Sequence, residues 1–385
     1  MVVPLIAALA MLGPFSIDAI FPAFPAIGEE FGVAPFALQQ LIGLYLLSYS
    51  TMALLHGPLS DAAGRRGVIL AGTLLYSLFA LVCALAPSFE VLLLGRLLMG
   101  AVAGAGIIVG RAVVRDCFAG ARAERAMATV SLLFGVAPAV APVFGALVLE
   151  RAGWRAIFAM LSGFGLLLAL ATLRWLPETH PPSSRVPLAL AELARGYRAI
   201  LRDRRSLSLA LATSFNFAAL FLYIASAPTL VFERLELGAD GFALLFVPIV
   251  AGMMLGASFA AGLAGRLLRR HTIAIAYGAI ACAQAANLLV AASGASAWPW
   301  PVLPLVPLSA GIAAAFPLIT LSLLDRFPGA RGLASSLQTA LGLGLLALVA
   351  GWLAPFVFHD LGSLALASAL LSSIGYGAWR AGRRG

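Results

Sequence analysis

Hydrophobic residues occur along this chain in long runs that short polar segments interrupt. Most runs reach about 20 residues, the length that an α-helix needs to cross about 30 Å of hydrocarbon. Strands of a membrane barrel would be about half as long and would alternate polar with apolar residues. The pattern therefore predicts twelve membrane-spanning helices. They are placed at about 3–26, 38–58, 68–87, 91–113, 126–149, 155–176, 207–231, 240–264, 272–293, 299–323, 332–356 and 361–379.

The longest polar segment divides these runs six and six. It covers residues 177–206 and is rich in proline and arginine. We expect an all-α membrane protein with an N-terminal six-helix bundle (1–176), a cytoplasmic linker (177–206) and a C-terminal six-helix bundle (207–385). Residues 188–201 mix apolar with basic positions, which is compatible with either a helix on the membrane surface or a plain linker.

Composition and charge agree with a membrane location. Of the 385 residues, 62% are hydrophobic and 11% are charged, and the formal net charge of +9 comes from arginine without lysine. The arginines cluster in the loops after even-numbered spans and at the C-terminus, so the positive-inside rule predicts that both termini are cytoplasmic. Because they lie in short loops rather than on one soluble face, we expect no nucleic-acid partner.

Cofactor chemistry finds little support in the sequence. The three cysteines have no metal or redox spacing, and no Gly-x-x-x-x-Gly-Lys-Ser/Thr phosphate loop is present. The four histidines lie near span ends without a nucleophile and a base around them. We therefore expect no enzymatic activity and no metal or other cofactor, with energy taken from a gradient.

The loop after the second span combines turn formers with charge. Its candidate gate residues are Gly57, Asp61, Gly64, Arg65 and Arg66. We expect Gly57 and Pro58 to end a helix and Gly64 to permit a sharp reversal. Topology alone would explain the glycines and arginines, but it does not require an aspartate. Asp61 therefore favours a latch, in which the acid meets a helix N-terminus or an arginine of a neighbouring helix.

This loop, Gly57-Pro-Leu-Ser-Asp-Ala-Ala-Gly-Arg-Arg66, resembles the loop signature of the major facilitator superfamily. The segment of span four that begins at Gly95-Arg96 resembles the arginine motif of the superfamily. Span five is similar to the helix motif of antiporters, with Gly135, Pro138, Pro142 and Gly145. Together these motifs resemble the Bcr/CflA-type drug/proton antiporters, named for bicyclomycin and chloramphenicol resistance. The resemblance implies the superfamily fold and alternating access.

Asp18 is the acid that lies well inside a predicted span, between Pro14 and Pro22. A carboxyl at that depth is costly unless it is neutral, paired or facing water, so Asp18 is a candidate proton carrier. Alternatively, it bonds only a neighbouring helix or its own broken turn. Arg96 either snorkels to the headgroups or, as the resemblance implies for spans one and four, pairs with Asp18.

Further candidates follow from polarity within the spans. Arg111, Arg115 and Asp116 form a candidate anchor or gate at the cytoplasmic end of span four. The candidate substrate-cavity residues, which otherwise bond helix to helix, are Gln39, Tyr45, Tyr49, Asn216, Tyr223, Gln284, Asn287 and Gln338. Aromatic faces with a few amides suit a small amphipathic ligand better than a sugar phosphate.

The resemblance implies a multi-pass protein of the bacterial inner membrane, working as a monomer, that exchanges protons for small amphipathic drug-like compounds and so confers antibiotic resistance. An importer or a sugar or metabolite exporter on the same scaffold is the alternative within the class. A non-transporting membrane receptor is the alternative from another class.

Overall fold

The computed structural model describes residues 2–238 and 240–383, in which the chain forms helices and turns but no strand. The ends of the predicted bundles, residues 1, 384 and 385, lie outside that part. The α-helices, labelled α1 to α16 in chain order, are Val2–Asp18, Phe24–Phe31, Pro35–Ala53, His56–Ala63, Arg65–Ala84, Phe89–Cys117, Gly120–Trp175, Leu190–Arg202, Arg204–Ala225, Ala227–Thr229, Gly241–Leu263, Arg269–Ser293, Leu305–Leu324, Arg331–Leu348, Ala354–Val357 and Leu361–Arg383.

Helices of membrane-spanning length recur throughout the described residues. Ten helical segments there are long and apolar enough to cross a bilayer, and an eleventh is obtained when α3 and α4, which meet at a 49° bend, are counted as one span. The 56-residue helix α7 would be about 84 Å long if straight. It contains a sharp break at Gly153, whose φ of 78° and ψ of 173° are non-helical. The chain is a multi-pass membrane protein.

The first predicted span, 3–26, is a broken helix rather than a continuous one. α1 ends at Asp18, a 3₁₀ turn follows at Phe21–Ala23, and α2 begins at Phe24. Pro22 and Pro25 each occupy the first turn of the element that follows the break, because proline lacks the N–H that a helix interior requires. The break places Asp18 at a helix end inside the span.

The chain divides into two compact units, Met1–Ala191 and Glu192–Gly385. In the first, α6 packs against α1, α3 and α5, and α7 packs against α1 and α5. In the second, α13 packs against α9, α11 and α12, and α16 packs against α9 and α12. Each predicted bundle falls within one unit, and the domain boundaries predicted from the sequence stay a prediction.

The segment predicted as a linker is structured in both halves. Residues 178–186 pack against the ends of α4, α5 and α6 through hydrogen bonds to Asp61, Arg65 and Asp116. The second half forms the amphipathic helix α8, which belongs to the second unit and buries Ile200. Tyr197 of α8 also forms a side-chain hydrogen bond with Ser336 of α14, and burial raises the pKa of this tyrosine. α8 is therefore anchored to the second unit by one face.

Candidate functional site

A buried guanidinium lies at the centre of the first unit. Arg96 of α6 is fully buried. Its Nε donates to the carbonyl of Leu41 at 3.0 Å, and its Nη1 donates to the carbonyl and the Oγ of Ser16 at 3.2 and 3.1 Å. The guanidinium lies over the ring of Tyr45, 4.3 Å from the centroid. Arg96 thus joins α6 to α1 and α3, and its burial contradicts the snorkelling alternative.

The charge of Arg96 is not neutralised by a direct partner. Its Nη2 has no hydrogen-bond partner in the described residues. All the acceptors of its other nitrogens are carbonyl or hydroxyl oxygens, which stabilise a cation through dipoles rather than through a full negative charge. The guanidinium is therefore a fixed positive charge inside the unit, held by one hydrogen bond to α3 and two to α1.

Asp18 lies close to this cluster along the chain but does not join it. Its side chain is 4% exposed and forms no hydrogen bond or ion pair with any residue that the structure describes. Ser16, which binds Arg96, precedes Asp18 by two residues, so the two side chains point about 200° apart around α1. Arg96 and Asp18 therefore form no ion pair in this structure.

The antiporter-like motif of α7 approaches the chain next to Asp18. A Cβ at Gly145 would collide with the carbonyl oxygen of Ala19, so the backbone of α7 touches the chain directly after the end of α1. Phe144 and Phe15 extend the contact, with ring centroids 6.3 Å apart. Gly135 differs, because a Cβ there would meet open space. Of the motif's two glycines, Gly145 is the one whose missing side chain the packing requires.

Both prolines of the same motif, Pro138 and Pro142, lie inside α7 as helical residues. A proline in a helix interior removes one backbone hydrogen bond, so these two loosen the part of α7 that precedes Gly145. The motif therefore combines a weakened helix with a close backbone contact at Gly145.

The predicted aromatic cavity residues of span two pack inside the first unit. The Tyr45 hydroxyl donates to the carbonyl of Gly13 at 3.4 Å. Tyr49 lies at a right angle to Tyr45, with centroids 6.3 Å apart, and fills the space beside Gly104. Gln39 is buried in the same helix. The two tyrosines thus tie α3 to its neighbours.

In the second unit, two of the predicted amides bond helix to helix. Asn216 of α9 donates to the hydroxyl of Tyr277 at 2.8 Å. Gln284 of α12 donates to Ser368 at 2.9 Å and to Ser372 at 2.8 Å. These bonds join α9 to α12 and α12 to α16 through neutral side chains.

The remaining polar candidates of the second unit differ in how well they are satisfied. Gln338 donates to Thr213 at 2.9 Å and to Thr320 at 2.8 Å. Tyr223 and Asn287 are 3% and 4% exposed, and neither forms a hydrogen bond within the described part of the chain. Among the described residues, the Nδ2 of Asn287, the Oδ1 of Asn216 and the Oε1 of Gln284 are buried without a partner, so these amides keep polar atoms free for another molecule.

The predicted gate centres on Arg65, the first residue of α5. Its Nη1 lies 2.5 Å from both the Asp61 carboxylate and the Ser60 Oγ, and its Nε lies 3.3 Å from the carboxylate of Asp116. Arg65 is only 8% exposed. One guanidinium therefore joins α4, α5 and α6, and the partner of Asp61 is the arginine four residues later.

The chain that follows α7 completes this network. The Glu178 carboxylate accepts the backbone N–H of Arg65 at 3.0 Å and that of His180 at 2.9 Å. Thr179 donates to Asp116 at 3.0 Å. Sequence reasoning missed Glu178 and Thr179, although an acid directly after a span was visible, because their partners lie more than 60 residues earlier in the chain.

The expected helix end at Gly57 and Pro58 is wrong. Both residues lie in the first turn of α4, where the missing N–H of proline leaves no hydrogen bond unmade. The reversal is made at Gly64, whose φ is 100°. A Cβ at this glycine would also strike the side chains of Glu178 and Arg185, so the turn admits only glycine.

The other predicted gate residues lie at the edge of the network or outside it. Arg66 donates to the carbonyl of Leu173 in α7 at 2.6 Å. Arg111 and Arg115 form no hydrogen bond or ion pair through their side chains among the described residues. They lie about one turn apart on α6, and the side chains of Arg115 and Arg111 point about 100° and about 140° away from that of Asp116, which faces Arg65.

The sequence matches a family profile and several curated transporters. The profile of the Major Facilitator Superfamily matches residues 6–344. The MFS-type transporter YdgK of Bacillus subtilis is 33% identical over 63% of this chain and 61% of its own length. The bicyclomycin resistance protein homolog of Haemophilus influenzae is 29% identical over 70% and 69%. The multidrug resistance protein MdtL of Salmonella typhimurium is 27% identical over 69% and 67%.

Solved structures agree on the fold. The human organic anion transporter MFSD10 superposes with a TM-score of 0.67 at 23% identity, covering 99% of both chains. The D-xylose-proton symporter superposes with a TM-score of 0.72 at 15% identity, covering 97% of this chain and 96% of the symporter. With a family profile that spans most of its length and a fold shared with solved transporters, the chain belongs to the Major Facilitator Superfamily.

Proposed function

We propose that this protein is a proton-coupled efflux transporter of the bacterial inner membrane, which exports small amphipathic compounds by alternating access. Support comes from relatives named for bicyclomycin and multidrug resistance, each aligned over about two thirds of its length. The aromatic and amide side chains within the spans suit ligands of this kind.

The proposed topology has twelve spans with both termini in the cytoplasm. Ten apolar segments become eleven when the bent pair α3 and α4 is counted as one span. They become twelve when α7 is divided at Gly153, since a single span of about 84 Å would exceed the bilayer more than twofold. The concentration of arginine after even-numbered spans supports the orientation.

Asp18 carries the proton in this proposal, and its burial without a partner is the observation on which the coupling rests. A carboxyl that is 4% exposed and has no hydrogen bond within the described residues is costly to keep ionised among apolar side chains. Protonation removes that cost and deprotonation restores it. The two protonation states therefore favour different surroundings of the α1 break, which is what a coupled conformational cycle requires.

Arg96 senses the charge of Asp18 through α1 rather than through a direct ion pair. It binds the backbone and the hydroxyl of Ser16, two residues before Asp18. An ionised Asp18 attracts the fixed guanidinium, and a neutral one does not, so proton transfer shifts the position of α1 relative to α6. The Arg65 network keeps the ends of α4, α5 and α6 together during this movement.

The driving force is sufficient for export. One proton that moves down about 100 mV releases about 2.3 kcal/mol, which supports about a fiftyfold gradient of a neutral solute.

Everted membrane vesicles test the proposal. The lumen is acidified by respiration, a pH-sensitive dye reports its pH, and a panel of antibiotics is added outside. We expect a substrate to release lumenal protons in wild-type vesicles, Asp18→Asn to abolish the release, and Asp18→Glu to retain part of it.

Glu29→Gln is the matched control, because it neutralises an exposed acid of α2, the helix that follows the break after Asp18, and should leave proton release unchanged. Exchange of labelled for unlabelled substrate needs no proton and should survive in Asp18→Asn, which separates loss of coupling from misfolding. Proton release by Asp18→Asn at the wild-type rate would remove Asp18 from the mechanism. Uptake of protons together with substrate would indicate import instead.

A further inference from the structure

A cavity of about 270 Å³ opens at the arginine-rich end of the second unit, where α9, α12, α13 and α16 end or begin. Four arginines contribute to its walls, together with a serine and a tryptophan. They are Arg269, Arg270, Arg326, Arg383, Ser322 and Trp379. This composition is unlike that of the helix interiors described above, where amides and hydroxyl groups meet. The cavity therefore favours a negatively charged occupant.

Two of the four arginines are neutralised by the protein itself. Arg269 lies 2.9 Å from the carboxylate of Asp325, and Arg326 lies 2.8 and 3.1 Å from the two oxygens of Asp203. The hydrogen bond from Arg326 lowers the pKa of Asp203, so this acid stays ionised at neutral pH. These pairs hold the cavity wall in place and leave the remaining arginines to set its charge.

Arg270 and Arg383 provide an excess of two positive charges. Neither has an acidic partner in residues 2–238 and 240–383, and both are exposed. The Arg383 guanidinium lies over the ring of Trp379, 5.5 Å from the centroid, which restrains its position. Guanidinium groups match phosphate oxygens with parallel N–H donors, so a phosphate group is the anion that this pair suits best.

The floor of the cavity is apolar. Leu209, Ile273 and Trp379 line it and are 6%, 3% and 4% exposed. An inorganic phosphate ion would gain nothing from such a floor, whereas the glycerol and first acyl carbons of a phospholipid would. Tryptophan with neighbouring Tyr376 also marks the depth at which aromatic residues meet the headgroup layer.

The two units differ in the acids that surround the corresponding arginines. In the first unit, α4 supplies Asp61, which pairs with Arg65 of α5, and Glu178 caps α5. The corresponding loop before α12, Gly262-Leu-Ala-Gly-Arg266, contains no acid. The second copy of the segment therefore has arginines but no acid of its own, and Asp325 of another segment neutralises only Arg269 among the arginines at 266, 269 and 270 in the described residues.

From these observations we propose that the cavity binds the phosphate of an anionic phospholipid, with Arg270 and Arg383 on the phosphate oxygens and Trp379 under the glycerol. Basic cavities between the ends of spanning helices are suited to such headgroups. The site is distinct from the proton and gate residues, all of which belong to the first unit.

Purified full-length protein tests this by native mass spectrometry after exposure to equal amounts of phosphatidylglycerol and phosphatidylcholine. We expect wild type to retain one phosphatidylglycerol in preference to phosphatidylcholine. Arg270→Gln/Arg383→Gln should bind it about 25-fold more weakly, since each arginine near an anionic headgroup contributes about fivefold. Arg122→Gln/Arg125→Gln removes the same charge from exposed positions of α7 and should bind as wild type does.

Cross-linking and competition measurements complete the test. A photoreactive phosphatidylglycerol, cross-linked to wild type, should label peptides within 269–273 or 379–383, a readout that needs no folded variant. Inorganic phosphate at the lipid's concentration should not displace it. Labelling elsewhere, equal loss of lipid in the control variant, retention in the double variant, or displacement by free phosphate would each overturn the proposal.

Discussion

Glu178 caps helix α5 from a distant part of the chain, and its removal should loosen the start of that helix. The carboxylate accepts the N–H of Arg65, the first residue of α5, at 3.0 Å. The N–H groups of a first helical turn have no partner within the helix, and a negative charge there also interacts favourably with the helix dipole. Glu178→Ala removes both contributions, whereas Glu178→Gln keeps an oxygen acceptor and removes the charge.

The expected magnitude is modest because Glu178 is exposed to solvent. A side-chain cap contributes about 0.5–2 kcal/mol, and a charge at a helix end adds about 0.3–1 kcal/mol before screening. Solvent screening favours the lower ends of both ranges, so Glu178→Ala should cost about 1 kcal/mol and Glu178→Gln about half of that. The first value corresponds to about a fivefold change in the equilibrium for local opening, and the second to about twofold.

Hydrogen exchange measured by mass spectrometry reports this opening directly. In peptides that cover the first two turns of α5, exchange should be about fivefold faster in Glu178→Ala and about twofold faster in Glu178→Gln than in wild type. Glu192→Ala, which removes an exposed acid of α8 that pairs with Arg195, should leave these peptides unchanged. Wild-type exchange rates in Glu178→Ala would refute the capping role of the carboxylate.

Two other changes give expectations that follow from single contacts. Gly145→Ala places a methyl group against the carbonyl of Ala19 and should lower the thermal midpoint by several degrees, since overpacking costs about 1–3 kcal/mol; Gly135→Ala, in open space, should leave it unchanged. Asp203→Asn should lower stability at neutral pH by about 1 kcal/mol. Because Arg326 lowers the pKa of folded Asp203 below the ordinary 3.8, denaturation at pH 7 and pH 3 should show this difference shrinking as acid protonates the wild-type carboxylate.

The spans could be predicted from hydrophobic length, whereas their interruptions could not. Each predicted run overlaps a helix or a broken pair of helices, because apolar length is what the bilayer selects. The break after Asp18 depends on Pro22 and Pro25 inside an otherwise suitable run. Gly57 and Pro58 lie in the first turn of α4 because the chain bends between α3 and α4 instead of ending a helix there. Run length carries no information about either feature.

The candidate sites show the same division between local and distant information. The contact between Asp61 and Arg65 follows from their spacing of four residues, which puts both on one face of a helical turn. The contact of Arg65 with Glu178 joins residues 113 positions apart and depends on the path of the chain after α7. Arg96 and Asp18 have similar predicted depths, but depth does not specify which face of α1 the guanidinium meets.

The two units distribute charge unequally, and this bears on how the proposed cycle is divided between them. The first unit contains the buried acid Asp18, the buried cation Arg96 and the ion pairs of Arg65, and the energy of such groups depends on the charge of their neighbours. In the second unit, the buried polar contacts of Asn216 and Gln284 are neutral. In the proposed cycle, a proton that binds at Asp18 therefore changes interaction energies within the first unit. The hydrogen-bonding groups of the second unit are neutral, so the protonation of Asp18 does not change their own charge. The second unit is therefore the better place for substrate contacts whose contribution to binding must be the same before and after proton transfer.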